Sequence, residues 1–358
     1  MKVLSRYLEK EFLKLFFLCE SVFVFIYLMV DILQKVDNFL GAKASEQAMF
    51  LYFLYKTPFI VNNMIPPAAL IAAVILFSSM KTKNEIMAMR VCGLTVSAAS
   101  RPVLGIALLI SIFSFAFAET VVPLASQKGQ GIWKTDVLKQ DPGLYYGKGE
   151  IWYRGHDAIY WIRQFDGARK MMEGVSLYFF DDDFRLRKRI DGRKAVWENN
   201  AWKIENGMVQ EATENGEYQL KRFDVYSVDL PERPETFMKG TVKPEEMNYW
   251  ELRRYAATVK DEGYDNSKYL VDMNIKIAYP LISLILVLIG IPVALQLRKG
   301  STPLAVSGGM AVCFMYILVF GFSRSLGLSG VFPPILSAWL ANLVFAFLGI
   351  YLMIHVEK

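Results

Sequence analysis

The chain has 358 residues, is 54% hydrophobic, carries a formal net charge of +5 and has a mean hydropathy of +0.27. A globular protein that meets only water would be less apolar, so that class is excluded, and the charge requires no nucleic-acid partner. The apolar residues concentrate in runs of about 20 residues, the length that crosses a bilayer. The six predicted transmembrane helices cover residues 11–33, 52–79, 102–123, 273–297, 304–325 and 335–354.

Lys and Arg in the short connections predict the orientation, because cytoplasmic loops carry an excess of both residues. One side collects most of them, among them Lys10, Lys14, Lys83, Arg90 and Arg101. The other side has Lys35 and Lys43 after the first helix and no basic residue within 326–334. We therefore expect both termini in the cytoplasm and the polar segment 124–272 on the opposite side of the membrane.

Ionisable residues in or near the predicted helices are the first candidates for function. Glu20 lies well inside the first helix, where a charge costs about 2.5–3.5 kcal/mol on insertion scales, so it is expected to face a partner or a water-lined site. Lys35 and Lys43 follow this helix, and Arg324 ends the fifth helix on the same side. These cations either anchor the helices at the interface or form a basic collar for the phosphates of an anionic amphiphile.

A short helix is predicted at about 82–93, between the second and third transmembrane helices. Thr82 and Glu85 have the spacing of a capping box, and Gly93 can terminate the helix. The segment is either a plain connection or a coupling helix that docks in a groove of an ATPase. In the second interpretation, Glu85 and Arg90 supply charges, and Ile86 and Met89 supply the contact surface.

The polar segment predicts an inserted all-β domain of the sandwich or jelly-roll kind, because short aromatic and β-branched runs alternate with Gly, Asn and Asp turns. It contains no cysteine, so no disulfide is expected to hold it. An amphipathic helix at about 244–263 leads from it to the fourth transmembrane helix. Strand aromatics either fill the core or line an interior groove open at one edge; the candidates are Trp152, Trp161, Tyr178 and Phe180.

The predicted fold is therefore an α-helical transmembrane protein with a jelly-roll-like β domain inserted at its middle. Residues 1–123 form the first transmembrane block, 124–272 the β domain with its connecting helix, and 273–358 the second block. The chain has only two histidines, and no Cys/His cluster has the spacing of a metal site. We therefore expect no catalytic residues, metal or cofactor, and energy for any work must come from another subunit.

Several short motifs, in this order and spacing, resemble the LptF/LptG family of lipopolysaccharide-export permeases. The motifs are Arg6-Tyr7, Val36-Asp37, Ile65 to Leu70, Glu85-x7-Gly93, Glu119-x-x-x-Pro123, Gly174 to Phe180 and Ala338 to Asn342. The resemblance covers nearly the whole chain. The exit of the first helix and the proline region of the second are closer to the LptG branch than to the LptF branch.

The resemblance implies a permease subunit of an ABC transporter in the bacterial inner membrane, with a periplasmic β domain. Such a subunit extracts lipopolysaccharide and passes it to a periplasmic bridge. The implied partners are a homologous LptF-type permease, an LptB-type ATPase dimer that binds the ATP, and LptC-type and LptA-type β proteins. The alternatives are the sister LptF-type subunit, or a mechanotransmitting, protein-binding membrane protein that moves no lipid.

Overall fold

The computed structural model describes residues 2–139, 144–145, 151–155, 158–166, 169–181, 185–198, 201–212, 218–228, 230, 232, 234, 244–261, 265–296 and 302–357. Its α-helices are α1 (Lys2–Gly41), α2 (Glu46–Thr82), α3 (Glu85–Val91), α4 (Val96–Ile132), α5 (Tyr249–Asp261), α6 (Ser267–Ala278), α7 (Ile282–Gln296), α8 (Thr302–Leu328) and α9 (Pro334–Glu357). A short π-helix, Trp133–Val137, continues α4, and a 3-10 turn, Pro244–Glu246, precedes α5.

Within the described residues, α1, α2, α4, α8 and α9 are each long and apolar enough to cross a membrane. The sixth predicted transmembrane helix is broken, because α6 and α7 meet at an angle of 53°. Pro280 lies at this break, where it has no N–H to donate and its ring would clash with the preceding helical turn. The prediction of six transmembrane helices agrees with the structure when this bent pair counts as one.

The two longest connections between helices in the first block end with a residue that caps the helix that follows. The Ser45 hydroxyl accepts a hydrogen bond from the Ala48 N–H at the start of α2, and Thr95 does the same for Ala98 at the start of α4. Hydroxyl side chains at these positions satisfy an N–H that the helix leaves without a partner. The helix boundaries therefore follow from local sequence as well as from packing.

The bundle is built around α2, whose middle is fully buried from Ala68 to Val74 except for the slightly exposed Ile71. Small residues on the neighbouring helices permit this close packing. A Cβ atom added to Gly290 of α7 would lie 2.7 Å from the Leu70 side chain, and one added to Gly309 of α8 would lie 3.2 Å from Ile71. By contrast, α1 and α8 expose large apolar side chains, including Phe17, Phe25, Phe314 and Phe322.

The inserted all-β domain is confirmed. Its strands are β1 (Leu144–Tyr145), β2 (Ile151–Arg154), β3 (Ala158–Asp166), β4 (Met171–Phe180), β5 (Leu186–Glu198), β6 (Ala201–Ala212) and β7 (Tyr218–Val228). They form one antiparallel sheet in the order β1-β3-β4-β5-β6-β7, with β2 also paired to β3. Consecutive long strands are thus neighbours, as in a meander.

One face of the sheet carries the core of the domain. Tyr160, Phe165 and Trp202 are fully buried there. The Trp202 indole N–H donates to the Glu232 carbonyl at 2.9 Å, and the Tyr160 hydroxyl donates to the Glu232 carboxylate. Leu230 and Glu232, which follow β7, therefore cover this face of the core.

Neither alternative for the candidate aromatics agrees with the structure, since they neither fill the core nor line an interior groove. Trp152 pairs in register with Trp161, whose side chain points away from the core because its neighbours Tyr160 and Ile162 point into it. Trp152 is 58% exposed and stacks on Tyr178 with ring centroids 6.2 Å apart. The remaining candidate, Phe180, is half-buried beyond a bulge at the end of β4. These aromatics thus lie outside the core face.

Candidate functional site

Lys35 belongs to a cluster of three charged side chains between α1 and α2. Asp31 lies one turn before Lys35 on α1 and is only 7% exposed. Its Oδ1 atom is 2.7 Å from the Lys35 Nζ and 2.9 Å from the Lys56 Nζ of α2. Two ammonium groups therefore share one carboxylate, and the cluster keeps a net positive charge.

An aromatic surface supports this pair of lysines. The Lys35 and Lys56 ammonium groups lie 5.3 Å and 5.9 Å from the centre of the Tyr52 ring, within the range of cation–π attraction. Tyr52 in turn packs against Phe39 and Trp133. The positive charges are thus held in place by packed rings.

A cavity of about 350 Å³ opens beside these lysines, and we call it the Lys35 cavity. It is lined by Lys35, Tyr52, Tyr55, Lys56, Phe59, Gln130, Trp133 and Glu245, among others. The sequence prediction missed Lys56. The available signal was a lysine within the predicted second transmembrane helix, since a cation at such a position is rare and usually faces a partner or a cavity.

Arg324 lines a second cavity of about 460 Å³, the Arg324 cavity. Its guanidinium is 2.8 Å from the Asp272 Oδ1 of α6. Other lining residues include Phe59, Asn62, Glu245, Lys268, Asp272, Lys276 and Phe320. Phe59 and Glu245 line both cavities, so the two adjoin. The structure therefore brings Lys35 and Arg324 to the same end of the bundle.

Lys43 is not part of this arrangement. It is exposed in the turn after α1, and its φ of 54° is left-handed. The Ala44 N–H donates to the Phe39 carbonyl and the Lys43 N–H to the Leu40 carbonyl, which is the pattern of a Schellman helix end. Lys43 lines neither cavity within the described residues. The second lysine of the cationic cluster is therefore Lys56 and not Lys43.

Glu20 is buried within the first helix, as expected, but its partner is not found. The residue is 8% exposed, and both carboxylate oxygens lack a hydrogen-bond partner among the residues that the structure describes. Glu20 also lines neither of the two cavities in this part of the chain. The structure therefore does not connect it to the cationic cluster.

The predicted helix between α2 and α4 exists as α3, but its predicted capping box is wrong. Thr82 still belongs to α2, and its hydroxyl donates to the Ser78 carbonyl at 2.9 Å. Asn84, in a left-handed conformation with φ of 60°, precedes Glu85. The prediction that Gly93 terminates the helix agrees with the structure, in which α3 ends at Val91. With φ of 78°, Gly93 closes a Schellman motif in which the Leu94 N–H donates to the Met89 carbonyl at 2.9 Å.

The face that α3 presents outward differs from the prediction. Ile86 and Met89 are buried in the helix bundle of this chain, so they do not supply the expected contact surface. Met87 and Val91 are 55% and 82% exposed instead. The reason is that a helix of seven residues packs one stripe inward, and Ile86 and Met89, three residues apart, form that stripe.

The charged residues of α3 differ in their surroundings. Arg90 donates from its guanidinium to the Val356 carbonyl near the end of α9, at 2.9 Å. This contact satisfies a carbonyl that a helix end leaves without an intrahelical partner. Glu85 is half-buried in the first turn of α3, where a carboxylate is favoured by the helix dipole.

Comparison with known proteins agrees with this architecture. The family model described as lipopolysaccharide export system permease LptF/LptG matches residues 6–355. The lipopolysaccharide export system permease protein LptG of Escherichia coli strain K12 is 22% identical over 369 residues, covering 99% of this chain and 98% of that protein. LptG of Escherichia coli O6:H1 matches with the same identity and coverage. The chain belongs to the LptF/LptG family of lipopolysaccharide export system permeases.

Proposed function

We propose that this chain is the LptG-type permease subunit of an ATP-driven complex that extracts lipopolysaccharide from the inner membrane and passes it to a periplasmic bridge. The observation that carries the proposal is the pair of adjoining cationic cavities next to exposed apolar helix faces. The names of the two relatives favour the LptG-type subunit over its sister. Family membership supports an inner-membrane permease that is not itself an enzyme.

The chemistry of the cavities suits an anionic amphiphile. Lys35, Lys56 and Arg324 can each donate charge-assisted hydrogen bonds to phosphate oxygens. The acyl chains would lie against the exposed apolar faces of α1 and α8, where Phe25 and Phe322 are among the exposed side chains. A binding site with cations at one end and long apolar surfaces beyond them matches a phosphorylated lipid.

The same apolar faces suit the partner permease. In the proposed complex, α1 of this chain faces the fifth helix of an LptF-type subunit, and α8 faces the first, so that the lipid enters laterally between them. The β domain would pass the lipid to LptC-type and LptA-type proteins. In this arrangement the β domain would lie in the periplasm and both termini in the cytoplasm.

Energy would enter at the opposite end of the bundle. Lys56 lies near the start of α2 and Thr82 at its end, about 40 Å away at about 1.5 Å per residue. The helix α3 follows this end, and Glu85, Met87 and Val91 are its candidate contacts to an LptB-type ATPase dimer. ATP is bound by that dimer, and no cofactor is assigned to the permease chain.

Co-purification combined with lipid binding tests the proposal. The full-length chain, solubilised from the membrane, should bring down an ATPase and a second six-helix homologue and retain lipopolysaccharide in native mass spectra. Replacing both Lys35 and Lys56 by Ala should lower the retained lipid, whereas Lys43→Ala should not. Purification without any ATPase or homologous permease would contradict the proposed complex, and unchanged lipid in the double variant would contradict the proposed site.

A further inference from the structure

The carboxylate of Glu119 joins three elements at the end of the bundle that carries the cavities. Glu119 lies on α4, and its Oε2 atom accepts a hydrogen bond from the Tyr249 N–H at the start of α5, at 2.6 Å. Its Oε1 atom is 3.9 Å from the Lys276 Nζ of α6. The proposed function leaves this residue without a role, although it begins one of the motifs noted in the sequence.

The start of α5 does not need Glu119 for its own cap. The Glu251 N–H donates to the Asn248 side chain at 2.9 Å, and the Asn248 N–H donates back to the Glu251 carboxylate at 3.0 Å. This reciprocal pair is a capping box supplied by the local sequence. The bond from Tyr249 to Glu119 is therefore an additional contact, and its effect is to fasten α5 to α4.

A second contact fastens the residues just before α5. The Gln127 side chain of α4 donates to the Glu246 carbonyl at 2.7 Å. Gln127 lies about two helical turns beyond Glu119. Both contacts hold the stretch 244–249, which we call the junction segment. Glu245 of this segment lines both cavities, so the junction segment borders the site assigned to the lipid headgroup.

Two of the three cations that line the Arg324 cavity, Arg324 and Lys276, already face carboxylates of the chain. Arg324 pairs with Asp272, which is 7% exposed and whose Oδ2 atom has no hydrogen-bond partner among the described residues. Lys276, one turn further along α6, faces Glu119. A phosphate that enters this cavity must compete with these carboxylates. The competition is strong because charges in such partly buried surroundings interact more strongly than in water.

We propose that Glu119 is a positioning residue that transmits occupancy of the Arg324 cavity to α5, because an anionic headgroup that draws Lys276 away loosens the junction segment. The inference rests on the proposed function, since it takes the headgroup of the transported lipid as the ligand. When Lys276 turns to the phosphate, Glu119 loses its cation and meets a second negative charge. Repulsion between the two negative charges then displaces the Glu119 carboxylate from the Tyr249 N–H, and α5, which connects the β domain to the membrane helices, gains freedom.

Hydrogen exchange at the start of α5 tests this inference in the full-length chain. The protein would be reconstituted in phosphatidylcholine nanodiscs, with and without lipopolysaccharide, and bound lipid would be quantified in the same samples. In the wild-type protein, lipopolysaccharide should raise the exchange rate of peptides covering 249–256 severalfold, since exchange reports local opening. Phosphatidylglycerol in place of lipopolysaccharide shows whether a simple anionic headgroup suffices.

Two variants separate coupling from stability. Glu119→Gln keeps an oxygen that can accept from the Tyr249 N–H but removes the charge that holds Lys276, so the response to lipid should disappear while basal protection remains. Gln127→Ala removes only the second contact, so basal exchange should rise while the response to lipid persists. Glu119→Ala should show fast exchange with and without lipid.

The outcomes distinguish the two proposals. If wild-type protein binds lipopolysaccharide but exchange at α5 is unchanged, the coupling is wrong and the transport function stands. A response in Glu119→Gln equal to that of the wild type would also overturn it. If the wild type binds no lipopolysaccharide, the proposed function fails, and this inference fails with it.

Discussion

Asp31 sets the balance between stability and binding in the Lys35 cavity. Its carboxylate is the counter-charge for both Lys35 and Lys56, and all three lie between α1 and α2. Without it, two ammonium groups would repel each other beside the same aromatic ring. The same carboxylate also competes with any phosphate for these lysines. A single residue thus holds the site together and limits its affinity.

We expect Asp31→Asn to lower the stability and to raise the lipid affinity of the protein. The loss should be about 1–3 kcal/mol, because a buried hydrogen-bonded charge is removed while the Lys35 and Lys56 side chains, 20% and 22% exposed, still reach water. Denaturant unfolding in detergent micelles measures the first effect, and native mass spectrometry the second. Asp37→Asn, on the exposed side of α1, is the control and should change neither. Lower lipid retention in Asp31→Asn would count against this assignment.

At the scale of elements, neighbouring helices pack closely on α2 because they have glycines at the points of contact. Gly290 lets α7 approach α2 so closely that the backbone carbonyl of Leu70 would lie 3.3 Å from an added Cβ. A glycine within a transmembrane helix normally weakens the helix slightly. Its presence here is explained by the contact between helices, since α2 and α7 share the buried core.

Gly290→Ala should therefore destabilise the bundle. The new methyl group would meet the Leu70 side chain at 2.7 Å, and overpacking of this kind costs about 1–3 kcal/mol. Gly321→Ala on α8 has no heavy atom within 4 Å of its added methyl group and should be neutral or slightly stabilising. Unfolding of both variants in the same detergent measures the difference. Equal stability of the two variants would show that α2 and α7 can move apart at little cost.

Local sequence predicted most elements because their signals are local. Apolar runs marked the transmembrane helices, and alternating aromatic residues marked the strands. The break between α6 and α7 was also signalled, since Pro280 lies inside the predicted fourth helix. The capping box at Thr82 failed because such a box works only where the chain has left the preceding helix, and α2 continues to Thr82.

The candidate site was predictable only in part, because its contacts join residues far apart in sequence. Lys56 meets Asp31 across 25 residues, and Tyr249 meets Glu119 across 130. Charge and burial could nominate Lys35, Arg324 and Glu20 singly. Which cation shares a carboxylate with which is decided by helix packing, and no periodicity or spacing within one segment contains that information.

At the scale of the whole molecule, the two proposed ends of the transport cycle lie at opposite ends of α2. The cavities adjoin its first half, and α3 follows its last residue. Arg90 ties α3 to the end of α9, and Ile86 and Met89 tie it to the bundle core. A force applied to α3 therefore reaches the bundle through packed side chains rather than through a free loop.

Glu85→Ala should leave the protein inserted and folded but uncouple ATP hydrolysis from lipid movement, because Glu85 is the charged group that α3 offers to the proposed ATPase. Loss of a first-turn carboxylate costs about 0.3–1 kcal/mol through the helix dipole. Glu46→Ala removes a first-turn carboxylate of α2 at the other end of the bundle and is the matched control. Proteoliposomes containing the whole complex would report both ATP hydrolysis and lipopolysaccharide release. Equal lipid release per ATP in the two variants would show that Glu85 only stabilises its helix.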